Sequence, residues 1–302
     1  MDFGKLDDIS GVDFTLPPDR TNWSNLPPRQ GQVQVYVGCP VWACKEWVGS
    51  LYPPHARAKD YLYYYSRQFN AIELNSTHYH IPDNATISRW IEVTPSSFRF
   101  CPKILQEISH RLMLRPSKEV IQTFCKPIAA LGNRLGMAFL QLPPSFAPAQ
   151  LPVLAAFLKD FPREIPLAVE FRHPAWFQGP AGYQPFDHAA ALLEQQNIST
   201  VICDVAGRRD VLHQRLTTGK TLIRFVGNGL HPSDYTRIDA WVERLKEWID
   251  KGVEQVYFFV HEPNNALAPQ LANYLINKLN ERVGTSLRPL QKSNVDPQMH
   301  LF

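Results

Sequence analysis

Several signatures are missing from this 302-residue chain, and each absence narrows what the protein can be. No apolar run approaches the roughly 18 residues that a bilayer-spanning helix needs, so no membrane role is expected. The opening MDFGKLDDIS is acidic and lacks the apolar centre of a secretory leader, which makes the cytoplasm the expected compartment. Five cysteines (Cys39, Cys44, Cys101, Cys125 and Cys203) form no CxxC pair. An odd, scattered set suits free thiols in a reducing compartment better than a disulfide framework or a cysteine zinc site. Neither GxGxxG nor a GxxxxGK phosphate loop occurs, against both familiar nucleotide-binding sheets. HExxH is absent too. The net charge of +3 is mild and Lys and Arg form no stripe, so an anionic ligand is permitted without a surface built for nucleic acid.

What is present is ordinary in bulk and regular in pattern. With 44% hydrophobic and 20% charged residues, the chain can bury a large core. Residues 1–30 hold two Pro-Pro pairs and little periodicity, and are expected to form an extended arm anchored by Phe3, Phe14 and Trp23. From 31 to 283, eight β-type runs are mostly separated by helical ones. They are QVQVYVG, AIELNST, SFRFCPKI, GMAFLQLPP, PLAVEFR, STVICDV, TLIRFVGN and QVYFFVHEP. Residues 284–302 read as a polar tail. Repeats spaced by roughly 22 to 38 residues point to an α/β fold of the (β/α)8 barrel type, with a doubly wound sheet as the rival.

Alternation assigns faces. In PLAVEFRHPAW, Leu167, Val169 and Phe171 point one way while Ala168, Glu170 and Arg172 point the other. The same reasoning gives seven of the eight strands a polar residue on an inner face near the C-terminal end. These are Glu73 with Asn75, Lys103, Gln141, Glu170 with Arg172, Asp204, Arg224 and His261. In a barrel such ends meet at the mouth, where catalysis is housed. A balanced structural ion network is the plainer explanation, yet a preorganised site better accounts for so many strands taking part.

The chain resembles the YecE-like family, domain of unknown function 72, from about Val35 to Leu279. The resemblance rests on the Trp42–Trp47 loop with Gly49 and Tyr52–Pro53, the run from Glu73 to Pro82, and Trp90 with Thr94–Pro95. It rests also on FRFCPK ending at Lys103, His110, QLPP from Gln141, VEFRHPAW, Asp204 and Arg224. It implies a (β/α)8-type barrel with a site lined by these residues, and no particular reaction. Two departures stand out. The family continues its strand-seven arginine into His-Gly, whereas Phe225 and Val226 follow Arg224 here. Its last strand ends in an Asn pair, whereas Val260–His261 stands here, which makes His261 the candidate to replace the missing histidine.

Three chemistries fit these residues. Arg172, Arg224 and Lys103 suit a phosphate or carboxylate, because guanidinium grips such groups bidentately. Glu170 and Asp204 then become general base and acid, with His173 or His110 carrying protons. The expected function is accordingly a hydrolase or lyase acting on an anionic, phosphorylated or sugar-containing ligand, with no cofactor required. Glu73, Glu170, Asp204 and His261 keep a divalent metal open, and Lys103 could form a Schiff base. Trp42, Trp47 and Trp176 offer faces for a sugar or base, whereas Trp90 suits packing. Outside this class stand a nucleic-acid-processing or nucleic-acid-binding protein and a non-catalytic sensor on an enzyme-like barrel.

Overall fold

The computed structural model describes residues 4–26, 28–179 and 184–292. Short runs of β-branched and aromatic residues, stopped by Gly, Pro or Asn, form the eight strands. These are β1 (Gln34–Gly38), β2 (Ala71–Leu74), β3 (Arg99–Pro102), β4 (Ala138–Gln141), β5 (Leu167–Glu170), β6 (Ser199–Asp204), β7 (Lys220–Val226) and β8 (Gln255–His261). Among the described residues seven α-helices alternate with them: α1 (Tyr61–Gln68), α2 (Asn84–Val93), α3 (Lys118–Ala129), α4 (Leu151–Asp160), α5 (Pro185–Gln195), α6 (Pro232–Asp250) and α7 (Ala268–Val283). Every strand pairing among the described residues is parallel. Inward side chains of all eight strands, among them Tyr36, Ala71, Cys101, Phe139, Ala168, Val201, Leu222 and Phe259, meet in one central core.

The sheet is not closed, which departs from the expected full barrel. Six strands form one sheet in the order β1-β8-β7-β6-β5-β4, and β2 and β3 form a separate pair. Between β3 and β4 the described residues form two isolated bridges in place of a ladder, Phe100 with Leu135 and Lys103 with Phe139. Between β1 and β2 side chains stand in for a ladder. The Asn70 amide accepts from Val37 N at 2.7 Å and donates to Val35 O at 2.9 Å, like a neighbouring strand. The Tyr65 hydroxyl accepts from Cys39 N and donates to Ala71 O. At this seam a Cβ on Gly38 would lie 2.0 Å from Ala71 O, so the backbones can approach only because that position is glycine. β2 also ends earlier than AIELNST suggested. Thr77 Oγ1 donates to Leu74 O or Lys103 O and folds Asn75–His78 into a 3₁₀ turn.

No α-helix joins β6 to β7 among the described residues; a 3₁₀ segment, Ala206–Val211, stands there. The N-terminal arm occupies the flank that is left, bonding to α5, α6 and the β6–β7 connection. Arg20 pairs with Asp187, Asn25 with Glu194, and Arg29 donates to Ile249 O. Leu216 N donates to Thr21 Oγ1 and Arg20 N to Gln214 O. Of the expected anchors, Phe14 lies under the guanidinium of Arg237 and Trp23 under the ammonium of Lys251. Phe3 lies outside the described residues. The tail is docked as far as it is described: Leu287 N and Leu290 N donate to Asn280 and Asn273 of α7.

Candidate functional site

At the C-terminal ends of the strands, alternation turns polar residues inward above the aromatic layer. The deepest are Glu73 on β2, Glu170 on β5 and Arg224 on β7, each at most 1% exposed. Isolated charges at such depth would be expensive, so each must be compensated. Arg224 does this for both carboxylates. Its Nε and Nη2 donate to Glu73 at 3.0 and 2.9 Å, and its Nη1 to Glu170 Oε2 at 2.9 Å.

Around this floor other groups are held in fixed positions. His261 Nε2 lies 2.8 Å from Glu73 Oε2, and Asn75 Nδ2 donates to Glu73 Oε1 at 2.8 Å. Arg172 Nε donates to Glu170 Oε1 at 2.5 Å. Gln141 donates to both Glu170 oxygens and accepts from Lys103 Nζ at 2.8 Å. One connected chain therefore runs from Asn75 and His261 through Glu73, Arg224, Glu170 and Gln141 to Lys103, with Arg172 as a branch. Lys103, Arg172 and His261 form its rim, each somewhat more accessible than the floor.

The electrostatics follow from the pairing. Burial would raise the Glu170 carboxyl, but Arg172 and Arg224 outweigh it and hold it down at about 2. Glu73 is likewise held well below the carboxylate range by Arg224 and His261 against the effect of burial. Burial and the neighbouring Arg224 push the Lys103 ammonium down to about 8, only partly offset by Glu170. Glu170 therefore stays ionised with both oxygens engaged, which suits it to positioning and not to the general-base role expected of it.

A family model described as "Protein of unknown function DUF72" matches residues 36–295. The chain belongs to the DUF72 family. It is 32% identical over 259 residues to the UPF0759 protein YecE of Escherichia coli K12, covering 80% of this chain and 91% of that one. It is 25% identical over 204 residues to the UPF0759 protein YunF of Bacillus subtilis, covering 64% and 70%. A DUF72 crystal structure from Enterococcus faecalis superimposes with TM-score 0.66 at 17% identity, covering 85% of this chain and all of that one. One from Thermotoga maritima gives TM-score 0.64 at 25% identity, covering 82% and 99%.

Three expected site residues of this DUF72 chain lie elsewhere. Asp204 faces outward, toward α6. Cys203 pairs in register with Arg224, and Asp204 with outward-facing Phe225. Its carboxylate accepts from Arg237 Nη2 at 2.8 Å, from Trp241 Nε1 at 2.6 Å and from Arg209, so it ties β6 to α6 and is held below the usual carboxylate range by Arg237 and Arg209 despite burial. His173 caps its own turn, its Nδ1 accepting from Ala175 N. Trp176 is fully buried, with its indole N–H on Phe146 O, and offers no face to a ligand. Trp47 is buried as well, and Trp42 packs edge-on against Trp90.

His110 stands beside the site without bonding to it. It sits on a π-turn, Glu107–Arg111, 2.8 Å from Ser109 Oγ, with burial and then Lys103 and Arg172 lowering its pKa. Its ring lies 5.1 Å from that of His78. His78 Nδ1 is 2.7 Å from Ile104 O, and since a carbonyl only accepts, Nδ1 carries the proton. Burial and Lys103 push it down to about 4, so at neutral pH it is an uncharged imidazole. Glu262, one residue past His261, went unnoticed. Burial raises it to about 7, and its Oε1 has no hydrogen bond among the described residues. Its signal was the HEP that ends the last strand. For a divalent ion the donor set is poor. Among the described residues no three His, Cys, Asp or Glu side chains group as metal ligands, and guanidiniums already occupy Glu73 and Glu170.

Proposed function

We propose that this mouth binds a small anionic ligand, phosphorylated or sugar-containing, and performs acid–base chemistry on it as a cytoplasmic hydrolase or lyase of barrel type. The observation that carries the reading is the charge of the cluster. With Asp204 outside it, two carboxylates face Arg172, Arg224 and Lys103, an excess of one positive charge before any ligand arrives. Like charges crowd Lys103, and an anion beside it would relieve that repulsion.

Arg172 and Lys103 serve as the clamp, with Arg224 as the buried brace that holds both carboxylates in register. The acid–base roles pass from Glu170 and Asp204 to His261 and Lys103. Glu73 holds His261 through one ring nitrogen, the carboxylate–imidazole arrangement that fixes a histidine's tautomer and orientation in general acid–base catalysis. A side-chain amine with a pKa near 8 exchanges its proton readily at physiological pH. No cofactor enters this reading, since the positive charge comes from side chains. The five cysteines, all buried and unbridged, suit a reducing compartment.

Calorimetric titration with inorganic phosphate tests the clamp. Lys103→Met and Arg172→Gln should each weaken binding about tenfold or more, the scale of one charge-assisted hydrogen bond. Equal affinity in wild type and both variants overturns the clamp. For the chemistry, a screen of chromogenic phosphate and glycoside esters should find turnover that His261→Asn lowers by about a hundredfold. Undiminished turnover in that variant removes His261 from the mechanism.

A further inference from the structure

A second cluster of cations lies at the opposite end of the strands. A cavity of about 460 Å³ opens beside the start of β1, the end of α1, the turn before β3 and the docked tail. Arg67, Arg99 and Arg288 all line it, and among the described residues no Asp or Glu does. It sits against the β1–β2 seam, where the sheet fails to pair and Asn70 substitutes for a strand.

Among the described residues, what holds these guanidiniums is neutral in each case. Arg67 Nη1 donates to Tyr63 O at 2.8 Å and Val93 O at 3.1 Å, and its plane lies 3.3 Å from the centre of the Tyr63 ring. Arg99 Nη1 donates to Ser96 O and Phe98 O at 3.0 and 3.1 Å. Arg288 Nη2 donates to the Gln291 amide oxygen at 2.6 Å. Backbone carbonyls and an amide fix a side chain without cancelling its charge, whereas a carboxylate does both. Each contact uses one terminal nitrogen and leaves the others of the fork for a ligand. Elsewhere in this chain arginines commonly meet carboxylates, as at Asp187, Asp204 and Glu170.

We propose that this cavity is a second binding site, distinct from the mouth, that takes a multiply charged phosphate compound of pyrophosphate type. Three guanidiniums supply three positive charges, and their planar forks match phosphate oxygens bidentately. Immobilisation by carbonyls and by the Tyr63 ring means that less side-chain freedom is lost on binding. The Ser97 hydroxyl and the Gln34 amide nitrogen, from residues that line the same cavity, add neutral donors for bridging or terminal oxygens.

Inorganic pyrophosphate is the probe, titrated calorimetrically into the full chain carrying Lys103→Met, so that the mouth is weakened and the two sites are read apart. Saturable one-to-one binding is expected, weakened about tenfold or more by Arg99→Gln and by Arg288→Gln, and only partly by Arg99→Lys, which keeps the charge and loses the fork. Arg288→Gln touches no helix cap, so it keeps the test valid if a variant at Arg67 or Arg99 fails to fold. Affinity should also fall steeply between low and high salt. Binding indifferent to both Arg99→Gln and Arg288→Gln overturns the proposal. So does binding that Lys103→Met already abolishes, or no saturable binding at all. Failure here leaves the mouth reading untouched, because that one is tested with Arg67, Arg99 and Arg288 intact.

Discussion

The two ends of the strand bundle hold arginines in opposite ways. At the C-terminal end Arg224 and Arg172 are clamped by Glu73 and Glu170, out of water and linked by Gln141 to Lys103. At the N-terminal end Arg67, Arg99 and Arg288 rest on carbonyls, an amide and a ring, with solvent beside them. Paired charges set each other's titration and depend on one another for stability, so the first end is rigid and cooperative. Carbonyl-held charges keep their field and depend on little else, so the second end should tolerate change.

The strongest way to break this contrast is to remove the brace. Arg224→Met takes from two buried carboxylates the guanidinium they share, leaving Glu170 to Arg172 and Gln141 and Glu73 to His261 and Asn75, and should cost about 3–5 kcal/mol in urea denaturation, the range for breaking a buried ion pair from one side. A loss below about 1 kcal/mol would mean that water reaches Glu73 and Glu170 and that the first end is not rigid. Next comes Asp204→Asn, which should cost about 2–3 kcal/mol by weakening the contacts of Arg237, Arg209 and Trp241. Phosphate affinity at the mouth should be unchanged in this variant, and a tenfold drop would return Asp204 to the site.

The pH dependence sharpens the comparison. Above about pH 8, where phosphate stays a dianion, the mouth's affinity for it should fall toward that of Lys103→Met as Lys103 loses its proton. Lys103→Met should remove that fall, whereas the arginines of the second cavity keep their charge throughout the same range. Glu170 has the opposite sign of linkage. Its folded pKa is depressed to about 2, so its stabilisation is present above the ordinary carboxylate range and is lost as pH falls from there toward 2. The smallest effect is expected at the open end, where Arg288→Gln should change stability by no more than about 0.5 kcal/mol.

Much of the C-terminal end was legible because alternation is a two-state code. Once Tyr257 and Phe259 are recognised as inward, His261 must follow, and the same parity placed Glu73, Lys103, Gln141, Glu170 and Arg224 correctly. It failed on STVICDV for a physical reason. A parallel strand buried on both faces is apolar on both, so Thr200 and Ile202 give no less apolar a face than Val201 and Cys203. The polar exit alone decided the assignment, and Asp204 answers to α6 instead. Trp176 and His173 were misread because both lie past the strand end, where periodicity stops and only turn chemistry decides. The seams of the sheet were not legible at all, since they depend on the Asn70 amide and the Tyr65 hydroxyl, two side chains in and just after a helix.

The lodging of the N-terminal arm reaches further than its exposed position suggests. Arg209 holds the Phe14 and Thr15 carbonyls with one nitrogen and Asp204 with the other, so the first residues of the fold and the buried tip of a central strand share a single guanidinium. Proteolytic nicking or trimming upstream of Gln30 would therefore be felt at Asp204 and, through Arg237 and Trp241, along the helix they sit on. A surface strap of this kind behaves as an internal strut.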